Sequence, residues 1–258
     1  MDLVRLHARW AGLPRAWLPV KVVAALALVY GAGTLGGLLP GYAVATTAVV
    51  LAYLSFAARR GRVPADVGLG RAGAVRETAA GFALGAALMG LVVAVHVAAG
   101  WYRVLRTDVE PWTLAASIVF FALVSVQEEV VARGVMFRAV ERRWGSGAAL
   151  VVSSLVFGFL HAGNPSATWW SSVAIAVEAG ILLGGAYMVT RSLWLPIGIH
   201  WSWNLVQGPV AGLPVSGQRT RSLLVAEVDG PQLWTGGAFG PEAGLVAFAI
   251  GTAVGLAL

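Results

Sequence analysis

The chain has 258 residues, 58% of them hydrophobic and only 12% charged, with no cysteine and a formal net charge of +6. A soluble domain carries roughly 25% charged residues, so this composition excludes an ordinary soluble protein. The lack of cysteine excludes disulfides, thiolate metal ligands and a cysteine nucleophile. The arginines lie between apolar runs instead of on one basic face, so we predict a protein of the lipid bilayer with no nucleic-acid partner.

Apolar runs follow one another along the whole chain, each of roughly 17 to 25 residues, the length that a helix needs to cross a bilayer. We therefore predict an all-α fold, a polytopic membrane bundle of about eight transmembrane helices in one domain over residues 1–258. The predicted spans lie near residues 18–39, 41–58, 78–100, 113–137, 147–163, 171–190, 193–210 and 241–258. Three glycine pairs at small-xxx-small spacing are predicted to let helices approach closely: Gly81/Gly85, Gly180/Gly184 and Gly251/Gly255.

The basic residues predict the orientation of the bundle. With the N-terminus in the cytoplasm, thirteen of the eighteen fall on the inner side and four on the outer side, as the positive-inside rule requires. An even number of spans then places both termini in the cytoplasm. The bias toward Ala, Gly and Arg is typical of a GC-rich bacterial genome, so we expect a bacterial inner (cytoplasmic) membrane.

Few ionisable residues fall within the spans, where a charge costs about 2.5–3.5 kcal/mol at the bilayer centre. In the fourth run, Glu129 and Arg133 are four residues apart and can pair on one helix face. That pairing leaves Glu128 as a carboxylate without a partner, which is suited to act as a general base.

Two histidines complete this set of intramembrane groups. Glu128 and His161 are each 16.5 residues from the midpoint of the turn between the fourth and fifth runs, which predicts equal depth, about 25 Å from that turn. His200 and Asn204 share a face of the seventh run. Glu178 is predicted to line the same cavity, to pair with a histidine, or to be structural, whereas His96 is predicted to be interfacial.

Several protease chemistries are excluded by their motifs. No histidine is followed by the glutamate of an H-E-x-x-H zinc site, no aspartate lies in a span, and no G-x-S-x-G sequence occurs. Two possibilities remain: a water activated by glutamate and histidine, or a metal held by one glutamate and two histidines.

Three motifs in this order resemble the CAAX-protease and bacteriocin-processing (CPBP, or Abi) family. They are Glu128-Glu129-x-x-x-Arg133-Gly134, Phe157-x-x-x-His161 and His200-x-x-x-Asn204. They lie within a motif-bearing core at about residues 113–210. The resemblance implies an eight-helix intramembrane endopeptidase, related to the CAAX prenyl endopeptidase that removes the last three residues of prenylated CAAX proteins.

The resemblance also implies roles for individual residues. Glu128 and His161 would activate the attacking water, and His200 and Asn204 would stabilise the oxyanion. Glu129 and Arg133 would order the fourth helix as supporting residues. This glutamic mechanism needs no cofactor, and its substrate would be a peptide or a membrane protein.

Other functions stay open from the sequence. In the metal alternative, Glu128, His161 and His200 are zinc ligands and the enzyme is a CAAX-type metalloendopeptidase. In a non-enzymatic alternative, the protein serves as a bacteriocin-immunity or scaffold membrane protein. A transporter with a proton relay is disfavoured because the chain shows no repeated halves. The oligomeric state is not encoded in these motifs.

Overall fold

The computed structural model describes residues 38–258 and is 73% helical. The first predicted span, 18–39, lies almost entirely outside the described residues. Helix α1 covers Leu38–Ala58, close to the predicted second span. A 3₁₀ turn at Pro64–Val67 follows, and then helix α2 at Ala74–Ala98.

Helix α3 covers Pro111–Glu129 and begins at a well-formed cap. The Glu110 side chain accepts hydrogen bonds from the amides of Trp112, at 3.2 Å, and Thr113, at 2.7 Å. These amides have no partner within the helix, so the cap fixes its first turn. The helix then continues as π-helix through Val130–Phe137. This conformation is rare in proteins, and where it occurs it often marks a functional site.

Helix α4, at Arg138–Leu160, reverses the direction of the chain. Its first residues prolong α3 beyond the predicted end at residue 137, up to Gly145, whose φ of 81° breaks the helix. A positive φ is readily available to glycine, so this residue allows the sharp turn. The remainder of α4 runs back along α3 and its π-helical continuation. A contact between the two arms shows this: the Arg133 guanidinium lies 4.7 Å from the centre of the Phe157 ring. The turn predicted between the fourth and fifth runs is confirmed, and the two helices that it joins form an antiparallel hairpin.

The next two helices complete the surroundings of the site. Helix α5 covers Trp169–Thr190 and is capped by the Thr168 hydroxyl, which accepts from the Ser171 amide at 3.0 Å. Helix α6 covers Trp194–Leu205 and continues as π-helix through Val206–Val210. A strand, the single-turn helix α7 at Gln232–Thr235 and a 3₁₀ turn at Pro241–Ala243 then precede helix α8 at Leu245–Ala257.

A small antiparallel sheet was not predicted. Strand β1, Tyr102–Thr107, pairs with strand β2, Leu224–Val228. The sheet ties the end of α2 to the predicted loop 211–240, and the Tyr102 hydroxyl donates to the Ala211 carbonyl at 2.8 Å. The fold is therefore mostly helical, and the all-α prediction is correct except for this sheet.

Small residues allow close helix contacts, as predicted for the glycine pairs. A Cβ at Gly81 would lie 3.0 Å from the Ile199 amide nitrogen, and one at Gly85 would lie 2.9 Å from the Ile199 carbonyl carbon. Such a methyl group would separate α2 from α6. Both glycines therefore let the two backbones touch, which is how helices associate in lipid.

The described residues test the predicted number of spans only in part. Four helical stretches are long and apolar enough to cross a membrane: Gly41–Ala58, Ala74–Ala98, Pro111–Gly163 and Trp169–Thr190. Pro111–Gly163 contains both arms of the α3–α4 hairpin. Helix α8 has 13 residues, too few for a span of about 20. The structure thus supports an integral membrane protein, and about eight spans are not confirmed.

Candidate active site

Glu129 and Arg133 form a fully buried ion pair on one helix face. Glu129 Oε1 lies 2.9 Å from Arg133 Nη1, and both side chains have no exposed surface. Arg133 Nη2 also donates to the carbonyls of Ala179 and Gly180 on α5, at 3.3 Å each. The predicted pair is confirmed, and it also joins α3 to α5.

The same carboxylate holds His200 on α6. Glu129 Oε1 lies 3.0 Å from His200 Nδ1, and because a carboxylate accepts, Nδ1 carries the proton. His200 Nε2 is then turned toward Glu128, at 3.9 Å from Oε2. This contact was missed by sequence analysis, which paired Glu129 with Arg133 alone.

His161 lies immediately after the end of α4 and also faces Glu128. Its Nδ1 lies 2.8 Å from the Phe157 carbonyl oxygen, which can only accept. Nδ1 therefore carries a proton, and Nε2 faces Glu128 Oε2 at 4.0 Å. The predicted equal depth of Glu128 and His161 is confirmed by this separation.

The Phe157 ring forms a common wall behind these groups. Its centre lies 5.0 Å from that of His161 and 6.0 Å from that of His200. Arg133 lies over the same ring, in the geometry of a cation–π contact. The ring thus separates the buried guanidinium from the imidazoles while fixing all three.

Glu128 differs from Glu129 in its exposure. Its side chain is 28% exposed, whereas that of Glu129 is fully buried. Glu128, His161, His200 and Asn204 all line one cavity of about 380 Å³, large enough for part of a peptide. We refer to Glu128, Glu129, Arg133, His161 and His200 as the compensated side of this cavity.

The spacing around Glu128 leaves room for one small group. Separations of 3.9 and 4.0 Å from the two Nε2 atoms exceed a direct hydrogen bond. A water at about 2.8 Å from each atom fits between them. Both a carboxylate and unprotonated ring nitrogens can accept a proton from such a water.

Glu128, His161 and His200 are residues of the types that bind zinc. Each histidine donates its Nδ1 proton to an oxygen, as metal-ligating histidines do. However, ligands on a tetrahedral zinc are about 3.3 Å apart, and the measured separations from Glu128 are wider. Within residues 38–258, no three His, Asp or Glu side chains come together as a metal-binding group. As placed, these residues would have to move closer to hold the ion.

Two further carboxylates line the other side of the cavity. Glu178 is 1% exposed, and its Oε2 has no hydrogen-bond partner among the described residues. Glu242 is 5% exposed, and its Oε2 accepts from the Ser216 amide at 2.7 Å. We call Glu178 and Glu242 the acidic side. Of the three interpretations of Glu178, the structure agrees with the one in which it lines the cavity.

Two further residues complete the comparison of the site with the sequence. Glu242 was not recognised as a site residue, since only the folding of residues 211–243 over the cavity brings it there. His96, predicted to be interfacial, is 2% exposed, and its ring centre lies 6.0 Å from that of Trp101. It does not line the cavity.

The geometry defines a class of protein first: a helical integral membrane protein with a cavity in which a carboxylate faces two imidazoles. Residues 110–206, fewer than half of the chain, match the family model of type II CAAX prenyl endopeptidase Rce1-like proteins. The match covers the three motifs and confirms the resemblance to the CPBP family. This similarity supports, in general terms, a CAAX-type intramembrane endopeptidase. No curated protein and no solved structure matches the chain.

Proposed function

We propose that the protein hydrolyses a peptide bond near the membrane in a peptide or membrane-protein substrate, by a glutamic mechanism without a metal. The observation that supports it is the position of Glu128 Oε2, which faces His161 Nε2 at 4.0 Å and His200 Nε2 at 3.9 Å. A protease of this kind needs a base at a water and donors at the carbonyl oxygen, and both are present in one cavity.

Glu128 and His161 activate the water in this mechanism. The Phe157 carbonyl fixes the tautomer of His161, so its Nε2 presents a lone pair that orients the water. Water attacks the carbonyl carbon and its proton passes to Glu128; the C–N bond then breaks as Glu128 returns that proton to the leaving nitrogen. A positioned general base contributes about 10²- to 10⁴-fold to the rate.

His200 and Asn204 stabilise the negative oxygen that forms on the substrate. His200 donates Nδ1–H to Glu129, so donation from Nε2 as well requires the imidazolium ion. The charges then balance: Glu128 and Glu129 are negative, Arg133 and His200 are positive, and His161 is neutral. Asn204, one turn further along α6 and 6% exposed, supplies the second donor.

The zinc-dependent endopeptidase is a second candidate, favoured by the oxygen partners of both Nδ1 atoms. Glu128, His161 and His200 would hold the ion. When bound, zinc would polarise the substrate carbonyl and lower the pKa of a water. The glutamic mechanism is preferred because an Asn204 amide is a better oxyanion donor than zinc ligand.

The proposal includes a location. We place the protein in a bacterial inner membrane with both termini in the cytoplasm, since this orientation puts the basic Arg142–Arg143 turn inside. A test is protease accessibility of tags at either end in oriented vesicles: both tags should be cleaved only from the cytoplasmic side.

The decisive experiment measures cleavage of a membrane-peptide library by the detergent-purified protein and by Glu128→Gln. We expect at least about a 100-fold loss of rate in the variant, with unchanged thermal stability. Glu227→Gln is the matched control, since Glu227 lies on strand β2 and is half exposed. Full activity of Glu128→Gln would disprove the assignment.

Chelator and metal analysis separate the two mechanisms. Cleavage that resists chelator, in protein without stoichiometric metal, supports the glutamic mechanism. Cleavage that chelator abolishes and one equivalent of zinc restores would make His161 and His200 ligands. A protein that binds a partner without cleaving any peptide would support the immunity or scaffold alternative.

A further inference from the structure

The acidic side of the cavity has no role in the chemistry proposed above. Glu178, from α5, and Glu242, from the turn before α8, both line the cavity that holds Glu128. The two carboxylates lie close enough to repel each other. Neither forms an ion pair within the described part of the chain, in contrast to Glu129.

Glu178 is the stronger indication of a ligand. It is 1% exposed, and its Oε2 accepts no hydrogen bond from the described residues. Gly251 on α8 leaves space for this carboxyl group, because a Cβ there would lie 2.8 Å from Oε2. A buried polar atom without a partner is costly, and a cation in the cavity would remove that cost.

Glu242 is held at the same wall by the loop above it. Its Oε2 accepts from the Ser216 amide at 2.7 Å, and the Ser216 hydroxyl lies at 3.3 Å. These contacts orient the carboxylate but bring no positive charge. Among the described residues lining the cavity, Arg219 alone carries a permanent positive charge, and it is exposed.

We propose that Glu178 and Glu242 form a specificity subsite that binds the positively charged side chain of a lysine or arginine in the substrate. This inference rests on the proposed protease function and names the substrate class of the same cavity. A cavity of about 380 Å³ has room for such a side chain beside the scissile bond.

The position of the subsite relates the basic residue to the cleaved bond. Glu242 and His200 line the same cavity of about 380 Å³, and His200 binds the oxyanion in the proposed mechanism. An extended peptide advances about 3.3–3.6 Å per residue. The basic side chain therefore lies within about three residues of the scissile bond.

The test uses peptides from the library that the wild-type protein cleaves, with lysine, norleucine, arginine or citrulline placed at each of the three positions on either side of the cut. Norleucine and citrulline keep the shape of the side chain and remove its charge. At one position we expect kcat/KM to be about 10- to 100-fold higher for the charged residue, as one desolvated ion pair with charged hydrogen bonds would give.

The variants Glu178→Gln and Glu242→Gln remove the charge with little change of shape. Each should lose most of that preference, because kcat/KM should fall more for the lysine peptide than for the norleucine peptide. Glu178→Asp, which keeps the charge, should retain part of the preference. Arg219→Gln is the matched control at the mouth of the cavity, and its preference should stay within about twofold of wild type.

Binding separates failure of this inference from failure of the protease proposal. Fluorescent lysine and norleucine peptides are titrated into Glu128→Gln protein and into the Glu128→Gln/Glu178→Gln double variant. Tighter binding of the lysine peptide by the first protein alone supports the subsite even if cleavage is later shown not to need Glu128.

Three results would overturn the subsite. The first is equal kcat/KM for charged and neutral residues at all six positions. The second is an equal effect of Glu178→Gln on lysine and norleucine peptides. The third is a preference that vanishes with EDTA and returns with Mg²⁺, since the bound cation would then be a metal ion.

Discussion

On the compensated side of the cavity, Glu129 has Arg133 at 2.9 Å and His200 at 3.0 Å, whereas on the acidic side Glu178 and Glu242 form no ion pair within residues 38–258. Glu129 and Glu178 are both fully buried, at 0% and 1% exposure, so these two carboxylates differ in the charges around them and not in burial. A balanced cluster can hold its shape during a reaction, while unbalanced carboxylates are available to a ligand. Under the two proposals above, the compensated side would carry out catalysis and the acidic side would recognise the substrate.

Of the variants considered, Arg133→Met should have the largest effect on stability, because it removes the positive charge that compensates Glu129. The change leaves Glu129 fully buried without its guanidinium and removes the contacts to the Ala179 and Gly180 carbonyls. We expect a loss of about 3–5 kcal/mol in the free energy of unfolding, because an uncompensated charge remains. The measurement is denaturant-induced unfolding in mixed micelles.

The double variant Glu129→Gln/Arg133→Met tests the reason for that loss. It removes both charges, so it should recover more than half of the stability lost in Arg133→Met. Equal stability of the single and double variants would show that the carbonyl contacts, and not the charge of Glu129, give Arg133 its importance.

Much of the compensated side was predictable because its contacts are local or follow from helix geometry. Glu129 and Arg133 are one turn apart, and equal distances from a turn brought Glu128 beside His161. The contact of Glu129 with His200 spans 71 residues, and no periodicity within one helix encodes it. The resemblance grouped these residues by motif but did not predict this hydrogen bond.

Glu242 and the sheet were not predictable for the same physical reason, whereas Glu178 was recognised in the sequence as an intramembrane carboxylate. Glu242 reaches the cavity only because the loop through Ser216 folds over it. Strands β1 and β2 are short and carry charged residues, and Tyr102 pairs with Val228 across more than 100 residues. Apolar helices can be recognised from the length of their hydrophobic runs, whereas pairings between residues distant in the sequence leave no local pattern.

Glu242→Gln should have an effect opposite in sign to Arg133→Met. Glu242 precedes α8 and lies outside the membrane-spanning helices, and burial raises its pKa to about 7 from the ordinary 4.5. A carboxyl group with a raised folded pKa costs nothing below pH 4.5, and its cost is fully present above pH 7. We expect Glu242→Gln to stabilise the protein by about 2 kcal/mol at pH 8.

The measurement is thermal unfolding of wild type and Glu242→Gln at pH 5 and pH 8. The difference between the two proteins should be small at pH 5 and grow toward pH 8. Glu227→Gln, on the exposed sheet, should show no such growth. A pH-independent difference would mean that the hydrogen bonds of Glu242 to Ser216 cancel the effect of burial on its pKa.

Gly251→Ala is the mildest change on the acidic side, because it shifts the Glu178 carboxyl group without removing its charge. The added methyl group would lie 2.8 Å from Glu178 Oε2 and 3.3 Å from Glu178 Cβ. The carboxyl group must therefore shift, at a cost of about 1 kcal/mol in unfolding free energy. Gly90→Ala is the control, because nothing lies within 4 Å of its Cβ position, and it should be neutral or stabilise α2 by up to about 1 kcal/mol. Gly251→Ala also tests whether Glu178 recognises a basic residue. If it does, this variant should lower the ratio of the cleavage rates of the lysine and norleucine peptides, while Gly90→Ala should leave that ratio unchanged. A changed ratio in both variants would assign the preference to general packing of the bundle instead of to the position of the Glu178 carboxylate.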